Sequence, residues 1–312
     1  MTPEPILEPI LEPILEPGIS RRAFLAGGAA ATGGLVVATA LGTGLATSAG
    51  AASGSAQKLA PLVLSSDLYA SPEPQRLVIA LARGGSTGIK FVSGPAAKMR
   101  FRAPKGSATR SWSDLVKAPL DRVGLPKGRG VYVTAPVLDT PGVWGVEARA
   151  SGERVPFAIQ VNAQPVAPVA GQAASRAVSP TTTDTLGVTP ICTRQPACPL
   201  HTVSLSSVIG NGKPVAALFA TPARCASQYC GPVLDEMLEI MGPYQDRVTF
   251  VHIEIYQSLT GTTLVPTVSA WRLQTEPWLF GIDAAGTISA RLDGAFGGTE
   301  MKKLLDSLVA TQ

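Results

Sequence analysis

Two cysteines, Cys225 and Cys230, mark the part of this sequence best suited to chemistry. The apolar run 214–220 ends in a Pro-containing turn, the two cysteines follow, and a segment with helical periodicity comes next. A thiolate forms most easily at a helix start, because unpaired N–H groups and the helix dipole both favour negative charge there. The pattern predicts redox chemistry, with Cys225 as the nucleophile, favoured by the charge of Arg224, and Cys230 as the resolving residue.

The separation of these cysteines restricts the backbone around them. Five residues apart on an α-helix, two Cα atoms lie about 8–9 Å from each other. A disulfide needs Cα atoms within about 7 Å. The bond therefore requires that Cys225 lie in the loop, or that the helix begin late with Pro232 in its first turn.

A second close pair, Cys192 and Cys198, lies upstream in a Pro-rich segment that ends at His201. We expect a structural disulfide that fixes the entry to the domain. The alternative is a resolving pair that exchanges with Cys225 and Cys230, since four cysteines allow three connectivities. His201 could join a Cys-rich metal site, whereas His252 is expected to be a core or surface residue. We expect no metal and no other cofactor.

Strands and helices alternate around these residues in the C-terminal third. Continuous apolar runs predict buried strands, and apolar residues at helical spacing predict the last helix. The predicted elements are strand 214–220, a helix to about 241, strand 247–256, a short helix over 267–273, strands 277–283 and 287–292, and a helix that starts at the N-cap Thr299. This order is βαβαββα, with a parallel crossover and a final hairpin.

The segment 201–312 resembles the thioredoxin-like superfamily, nearest to its secreted bacterial members. The resemblance depends on the strand–turn–cysteine–helix unit over 219–234, on Pro232 inside the first helix, and on Glu276-Pro277-Trp278, which looks like a cis-proline loop. It implies an α/β thioredoxin fold over 191–312 and thiol-disulfide exchange, with Pro277 cis and facing the cysteines. Pro266 competes for that place, but no strand pattern follows it directly.

Three departures from the family pattern support other functions. The usual pair is Cys-x-x-Cys, the buried acid of the preceding strand would fall at Leu218, and no Trp precedes Cys225. One alternative is therefore a binding or structural module whose cysteines form stable disulfides. Another is a copper-handling protein, since copper chaperones of the Sco type place two cysteines at a similar junction, although with a different spacing and a distant His.

Short strands bounded by Gly, Pro and Ser fill the segment 59–164. About seven of them in roughly 100 residues predict an all-β immunoglobulin-like sandwich. The last two are expected to form a hairpin, 143–150 with 154–161, around Ser151-Gly152. Trp144 is expected to anchor the core, and no acidic or histidine cluster assigns chemistry to this domain.

Between the two domains, residues 165–190 consist mainly of Ala, Pro, Ser, Thr, Val and Gly. This composition offers little apolar surface to bury, so we expect a flexible, disordered linker.

The first 52 residues combine a low-complexity leader with a sequence that looks like a twin-arginine export signal. Arg21 and Arg22 precede an uncharged stretch, 23–52, that is rich in Gly, Ala and Thr. Small residues at 49–51 suggest a cleavage site. The alternative is a permanent transmembrane helix, since the stretch is long enough to span a bilayer.

Export would place all four cysteines in the periplasm, the cell wall or the medium, where disulfides persist. The net charge is +4 and 15% of residues are charged, with no basic cluster, which argues against nucleic acid as a partner. The expected partners are protein thiols and disulfides of the cell envelope. Contact with the membrane is expected only through the signal segment, if it is not cleaved.

Overall fold

Most of the N-terminal strands form two facing β-sheets, and the remaining two pair with each other. The computed structural model describes residues 58–84, 90–92, 94–108, 110–225 and 227–310, so Arg21, Arg22 and the rest of the predicted signal lie outside the described residues. The strands are β1 (Ala60–Val63), β2 (Ser71–Pro74), β3 (Leu77–Arg83), β4 (Lys90–Phe91), β5 (Ala97–Arg102), β6 (Val116–Ala118), β7 (Leu120–Asp121), β8 (Val131–Thr134), β9 (Val137–Leu138), β10 (Gly142–Ala150) and β11 (Glu153–Val161).

One sheet has the order β1-β3-β8-β7, with β4 paired to β3, and the other has the order β11-β10-β5-β6. A single apolar core lies between them and includes Ile79 and Tyr132 from the first sheet and Met99 and Val146 from the second. Trp144 belongs to this core, as predicted, and its indole N–H donates to the Thr140 carbonyl at 2.8 Å.

The hairpin between β10 and β11 is confirmed. Ala150 pairs with Glu153, which leaves Ser151 and Gly152 as a two-residue turn. Both turn residues have positive φ, 50° and 78°, as a type I′ turn requires. Gly152 adopts this conformation without steric penalty, and the register that it fixes points Trp144, Val146 and Ala148 into the core.

The remaining elements follow the predicted βαβαββα order, after a short helix α1 (Leu205–Val208). They are β12 (Val215–Phe219), α2 (Cys230–Ile240), β13 (Thr249–Ile253), α3 (Pro266–Ala270), β14 (Trp278–Ile282), β15 (Ile288–Asp293) and α4 (Gly298–Ala310). Their sheet has the order β13-β12-β14-β15. Strands β12 and β13 are parallel, whereas β14 is antiparallel to both β12 and β15. Helix α4 begins one residue before the predicted N-cap, Thr299.

Strand β12 is buried along its whole length, as its unbroken apolar sequence predicted. Ala216 and Leu218 face one core, which also contains side chains from α2 and α4. Ala217 and Phe219 face a second core, which contains Trp271 and other residues on the opposite side of the sheet. Because both faces are covered, the carboxyl end of β12 is held rigidly, and the turn that carries Cys225 starts from a fixed point.

The expected disordered linker is instead an ordered strap against this sheet. Ala167, Ala174 and Val188 are buried in the second core. The amide of Ala174 donates to the Gly286 carbonyl at 2.9 Å, and Ser179 Oγ accepts the N–H of Leu205 at 2.9 Å. The prediction from composition was wrong for a physical reason. Small residues bury little surface by themselves, but they pack closely on a sheet that is already folded.

The sandwich and the C-terminal sheet belong to one compact unit and contact each other directly. The Arg291 guanidinium donates to Asp67 Oδ2 at 2.9 Å and to the carbonyls of Ala167 and Pro168 at 3.1 Å. Arg76 bonds the Ala295 carbonyl at 2.7 Å and the Glu300 carboxylate at 2.6 Å.

Among the described residues, no helix combines the length and the apolar character that crossing a membrane demands.

Candidate functional site

Cys225 and Cys230 form a disulfide at the junction of β12 and α2. Cys225 lies in the turn, Cys230 is the first residue of α2, and their Cα atoms are 5.8 Å apart. Gln228 adopts a positive φ of 61° between them, which turns the chain back on itself. Pro232 is the third residue of the helix. The structure thus satisfies both conditions predicted for the bond, a cysteine in the loop and a late helix start.

The two sulfurs occupy different surroundings. The Cys230 N–H, at the helix start, donates to Cys225 Sγ at 3.3 Å, and Ser227 Oγ lies 3.1 Å from the same sulfur. Cys230 is fully buried, whereas Cys225 retains 9% of its accessible surface. An anionic sulfur at Cys225 would therefore receive a hydrogen bond from the helix start, and Cys225 is the more accessible of the two.

A carboxyl group that the sequence analysis did not single out touches Cys230. Glu276 Oε2 lies 3.3 Å from Cys230 Sγ and accepts the N–H of Thr221 at 2.6 Å. Burial raises the pKa of Glu276 to about 7, against the lowering effect of the Thr221 hydrogen bond. A carboxyl with this pKa can hold or accept a proton near neutral pH.

Glu276 places a carboxyl beside Cys230, whereas Leu218, where the family pattern would put an acid, has none. Leu218 is fully buried in the first core and makes no polar contribution. Glu276 could have been found from the sequence, because it directly precedes Pro277. If Pro277 is expected near the cysteines, the residue before it is expected near them as well. The peptide bond between Glu276 and Pro277 is cis, as predicted, whereas Pro266 is simply the first residue of α3.

Arg224 does not direct its charge at the Cys225 sulfur, in contrast to the prediction. Its guanidinium donates to the carbonyls of Ser258, at 3.0 Å, and Gly261. It also stacks over the Tyr256 ring, 4.3 Å from the centroid. These contacts join the turn before Cys225 to the loop after β13, so Arg224 positions the turn.

The second cysteine pair is reduced in the structure, so the predicted structural disulfide between Cys192 and Cys198 is absent. Their sulfurs are 3.8 Å apart. Both histidines of the chain join them: His252 Nδ1 lies 3.4 Å from Cys198 Sγ and 3.1 Å from His201 Nε2. All four side chains are buried.

Backbone pairing explains how residues so far apart in sequence meet. The N–H of His252, on β13, donates to the Leu200 carbonyl at 2.9 Å, so the loop that carries the cysteines runs beside this strand. His252 Nε2 donates to the Ala220 carbonyl at 2.9 Å. Sequence reasoning missed this cluster because His252 is distant in sequence and shows no ligand spacing.

The protonation of this cluster is uneven. The pKa of Cys192 is lowered and the pKa of Cys198 is raised, in both cases chiefly because of the hydrogen bond between the two sulfurs. Burial lowers the pKa of His201, which favours the neutral imidazole.

A polar bridge connects the two cysteine sites. Thr193, next to Cys192, donates its N–H to Glu254 Oε1 at 2.7 Å. Its hydroxyl oxygen accepts the N–H of Ala223, in the turn before Cys225, at 3.2 Å. Burial raises the pKa of Glu254. The loop that carries Cys192 and the turn that leads to Cys225 are thus held together.

Comparison with known proteins identifies no family. No protein-family model matches the chain, and no curated protein matches it. A solved structure that is similar in part is a conjugative transposon lipoprotein from Bacteroides eggerthii DSM 20697, with 14% identity, coverage of 33% of this chain and 96% of that chain, and a TM-score of 0.18. A TM-score this low establishes no shared fold.

Proposed function

We propose that this protein is an exported thiol-disulfide oxidoreductase that acts on cysteines of proteins outside the cytoplasm. The observation that carries the proposal is the contact between Cys230 Sγ and Glu276 Oε2 at 3.3 Å, beside a disulfide at a helix start. Thiol-disulfide exchange needs one accessible thiolate and a second thiol that loses its proton when it attacks the mixed disulfide. The two cysteines and the carboxyl supply these groups.

The proposal includes a thioredoxin fold for the C-terminal part and an immunoglobulin-like topology for the sandwich. The βαβαββα order, the parallel β12–β13 pair and the antiparallel β14–β15 pair support the former. Two antiparallel sheets around one core support the latter. Twin-arginine export is proposed from the sequence, that is, from Arg21, Arg22 and the uncharged stretch 23–52 that follows them.

In the reduced protein, the Cys225 thiolate attacks one sulfur of a substrate disulfide. The other substrate sulfur leaves as a thiolate and takes a proton from water, and a mixed disulfide joins Cys225 to the substrate. Accessibility and the hydrogen bond from the Cys230 N–H assign this step to Cys225.

Cys230 then completes the exchange. Its thiol gives a proton to the Glu276 carboxylate and attacks Cys225 Sγ, and the second substrate sulfur leaves as a thiolate. The substrate gains two electrons, and the Cys225–Cys230 bond forms. The same steps in reverse oxidise a substrate dithiol. We place an extended substrate chain beside the cis Glu276–Pro277 bond, where Glu276 is half-buried and Pro277 itself is buried.

Trapping experiments test the proposal. The Cys230→Ser variant retains the nucleophile and should accumulate a mixed disulfide with a disulfide-bonded substrate protein, whereas Cys225→Ser should not. Disulfide mapping by mass spectrometry across redox buffers should show that the 225–230 bond opens near periplasmic potentials. A bond that resists reduction below about −300 mV would support the structural alternative instead.

A further inference from the structure

We propose that Cys192, Cys198, His201 and His252 bind one Zn²⁺ ion. These four side chains offer two sulfur and two nitrogen ligands, the set found in closed structural zinc sites. Their ligand atoms all lie within 4.8 Å of one another. The site is separate from the Cys225–Cys230 pair and does not depend on the function proposed above.

Four of the six distances between the ligand atoms are close to the edges of a tetrahedron around zinc, and all six are within 4.8 Å. With Zn–S about 2.3 Å and Zn–N about 2.0–2.1 Å, tetrahedral edges are about 3.8 Å for S···S, about 3.6 Å for S···N and about 3.3 Å for N···N. The observed separations are 3.8 Å between the sulfurs and 3.1 Å between the ring nitrogens. His252 Nδ1 lies 3.9 Å from Cys192 Sγ and 3.4 Å from Cys198 Sγ.

The hydrogen bonding of His252 prepares it as a ligand. The Ala220 carbonyl only accepts hydrogen bonds, so His252 Nε2, at 2.9 Å from it, carries the ring proton. The lone pair of Nδ1 is then free and faces the two sulfurs and His201. Zinc-bound imidazoles are oriented in this way, with the second ring nitrogen held by a backbone carbonyl or a carboxylate.

Burial of all four residues favours a structural site, because it leaves no open coordination position for water or substrate. Mixed thiolate and imidazole ligands select zinc over magnesium or calcium, which prefer oxygen ligands.

Zinc and a Cys192–Cys198 disulfide exclude each other, since the ion binds thiolates. A disulfide would draw the sulfurs from 3.8 Å to about 2.05 Å and leave the two buried imidazoles without the thiolate partners that they now face. The ion instead satisfies all four groups. It would also fix the ends of the turn to Cys225, through Ala220 and through the contact of Thr193 with Ala223.

Metal content of the full chain, purified anaerobically with a reductant, tests the proposal. We expect one zinc per chain by elemental mass spectrometry. After replacement with Co²⁺, we expect the intense visible bands of a tetrahedral ion and a near-ultraviolet sulfur-to-cobalt charge-transfer band. No bound metal, or bound Co²⁺ without the charge-transfer band, would overturn the proposal.

Variants assign the ligands. Cys198→Ser should weaken Zn²⁺ binding at least about 100-fold in competition with a chromogenic chelator, because even outer-shell changes weaken zinc sites by about 10–100-fold. The matched control, Cys225→Ser with Cys230→Ser, removes the other pair and should bind zinc within about twofold of the natural chain. Zinc retained by Cys198→Ser, zinc lost from the control, or a 192–198 disulfide that persists with zinc present would refute the assignment. If Cys198→Ser does not fold, the cobalt spectrum of the natural chain still tests whether thiolates bind the metal.

Discussion

The Glu276→Gln variant tests the central feature of the candidate redox site. The substitution keeps the side-chain shape and an oxygen that can accept the Thr221 N–H, which is 2.6 Å away in the natural chain. It removes only the proton-accepting carboxylate beside Cys230. We expect the variant to be more stable than the natural protein at high pH and slower in the second step of exchange.

The stability effect follows from the raised pKa. Burial moves the pKa of Glu276 from 4.5 to about 7, so the ionised carboxylate is disfavoured in the folded state. This corresponds to about 3 kcal/mol, at about 1.4 kcal/mol per pH unit. Because the folded pKa is the higher one, the natural chain loses this stability as pH rises from about 4.5 through about 7. The variant should match it at pH 4 and exceed it by up to about 3 kcal/mol at pH 8.

Urea unfolding of the oxidised protein between pH 4 and pH 8 measures this difference. Glu73→Gln is the control, because it removes the same charge from an exposed position on β2 and should leave the pH dependence unchanged. A constant difference between Glu276→Gln and the natural chain across this range would refute the assignment of a raised pKa to Glu276.

The kinetic effect is visible when the reduced protein reacts with a chromogenic aromatic disulfide. Attack by Cys225 releases the first chromophore, and attack by Cys230 on the mixed disulfide releases the second. A positioned general base contributes about 10²–10⁴-fold, so the second release should slow about 100-fold or more while the first is unchanged. In the natural chain the second rate should rise with pH through about 7 and lose this inflection in the variant. If the second chromophore were released at the same rate from Glu276→Gln and from the natural chain, Glu276 would not be the base.

Three further predictions concern stability and are measured by urea unfolding. Replacing both Cys225 and Cys230 with Ser should destabilise the protein by about 2 kcal/mol, because the bond closes only a short loop, and reduced natural protein should unfold at the urea midpoint of this double variant. Arg291→Ala should cost about 3 kcal/mol, because Asp67 is left buried without its cation, whereas exposed Arg110→Ala should have no measurable effect. Gly281→Ala should cost about 1–3 kcal/mol, because its Cβ would lie 2.9 Å from Leu304 Cδ2, and Gly242→Ala, where a Cβ meets no atom within 4 Å, should be neutral.

The secondary structure was largely predictable because its signals are local. The unbroken apolar run of β12 identified a strand buried on both faces, and Ser151-Gly152 identified the β10–β11 turn. The cis bond before Pro277 was also predicted, from the resemblance to a family. The ordered structure of segment 165–190 was not predicted. The segment is ordered because it packs on the sheet that it covers, and its own composition does not indicate this packing.

The sequence by itself determined where the chemistry could lie: two cysteines at a strand-to-helix junction, and a second pair upstream. Only the tertiary structure decided which other side chains contact these cysteines. Glu276 reaches Cys230 across 46 positions of chain, and His252 reaches Cys198 across 54. Such contacts depend on strand pairing and loop packing, which no spacing along the chain encodes. The same packing sets the pKa of Glu276, because removal of water from a carboxyl is a property of everything that surrounds it.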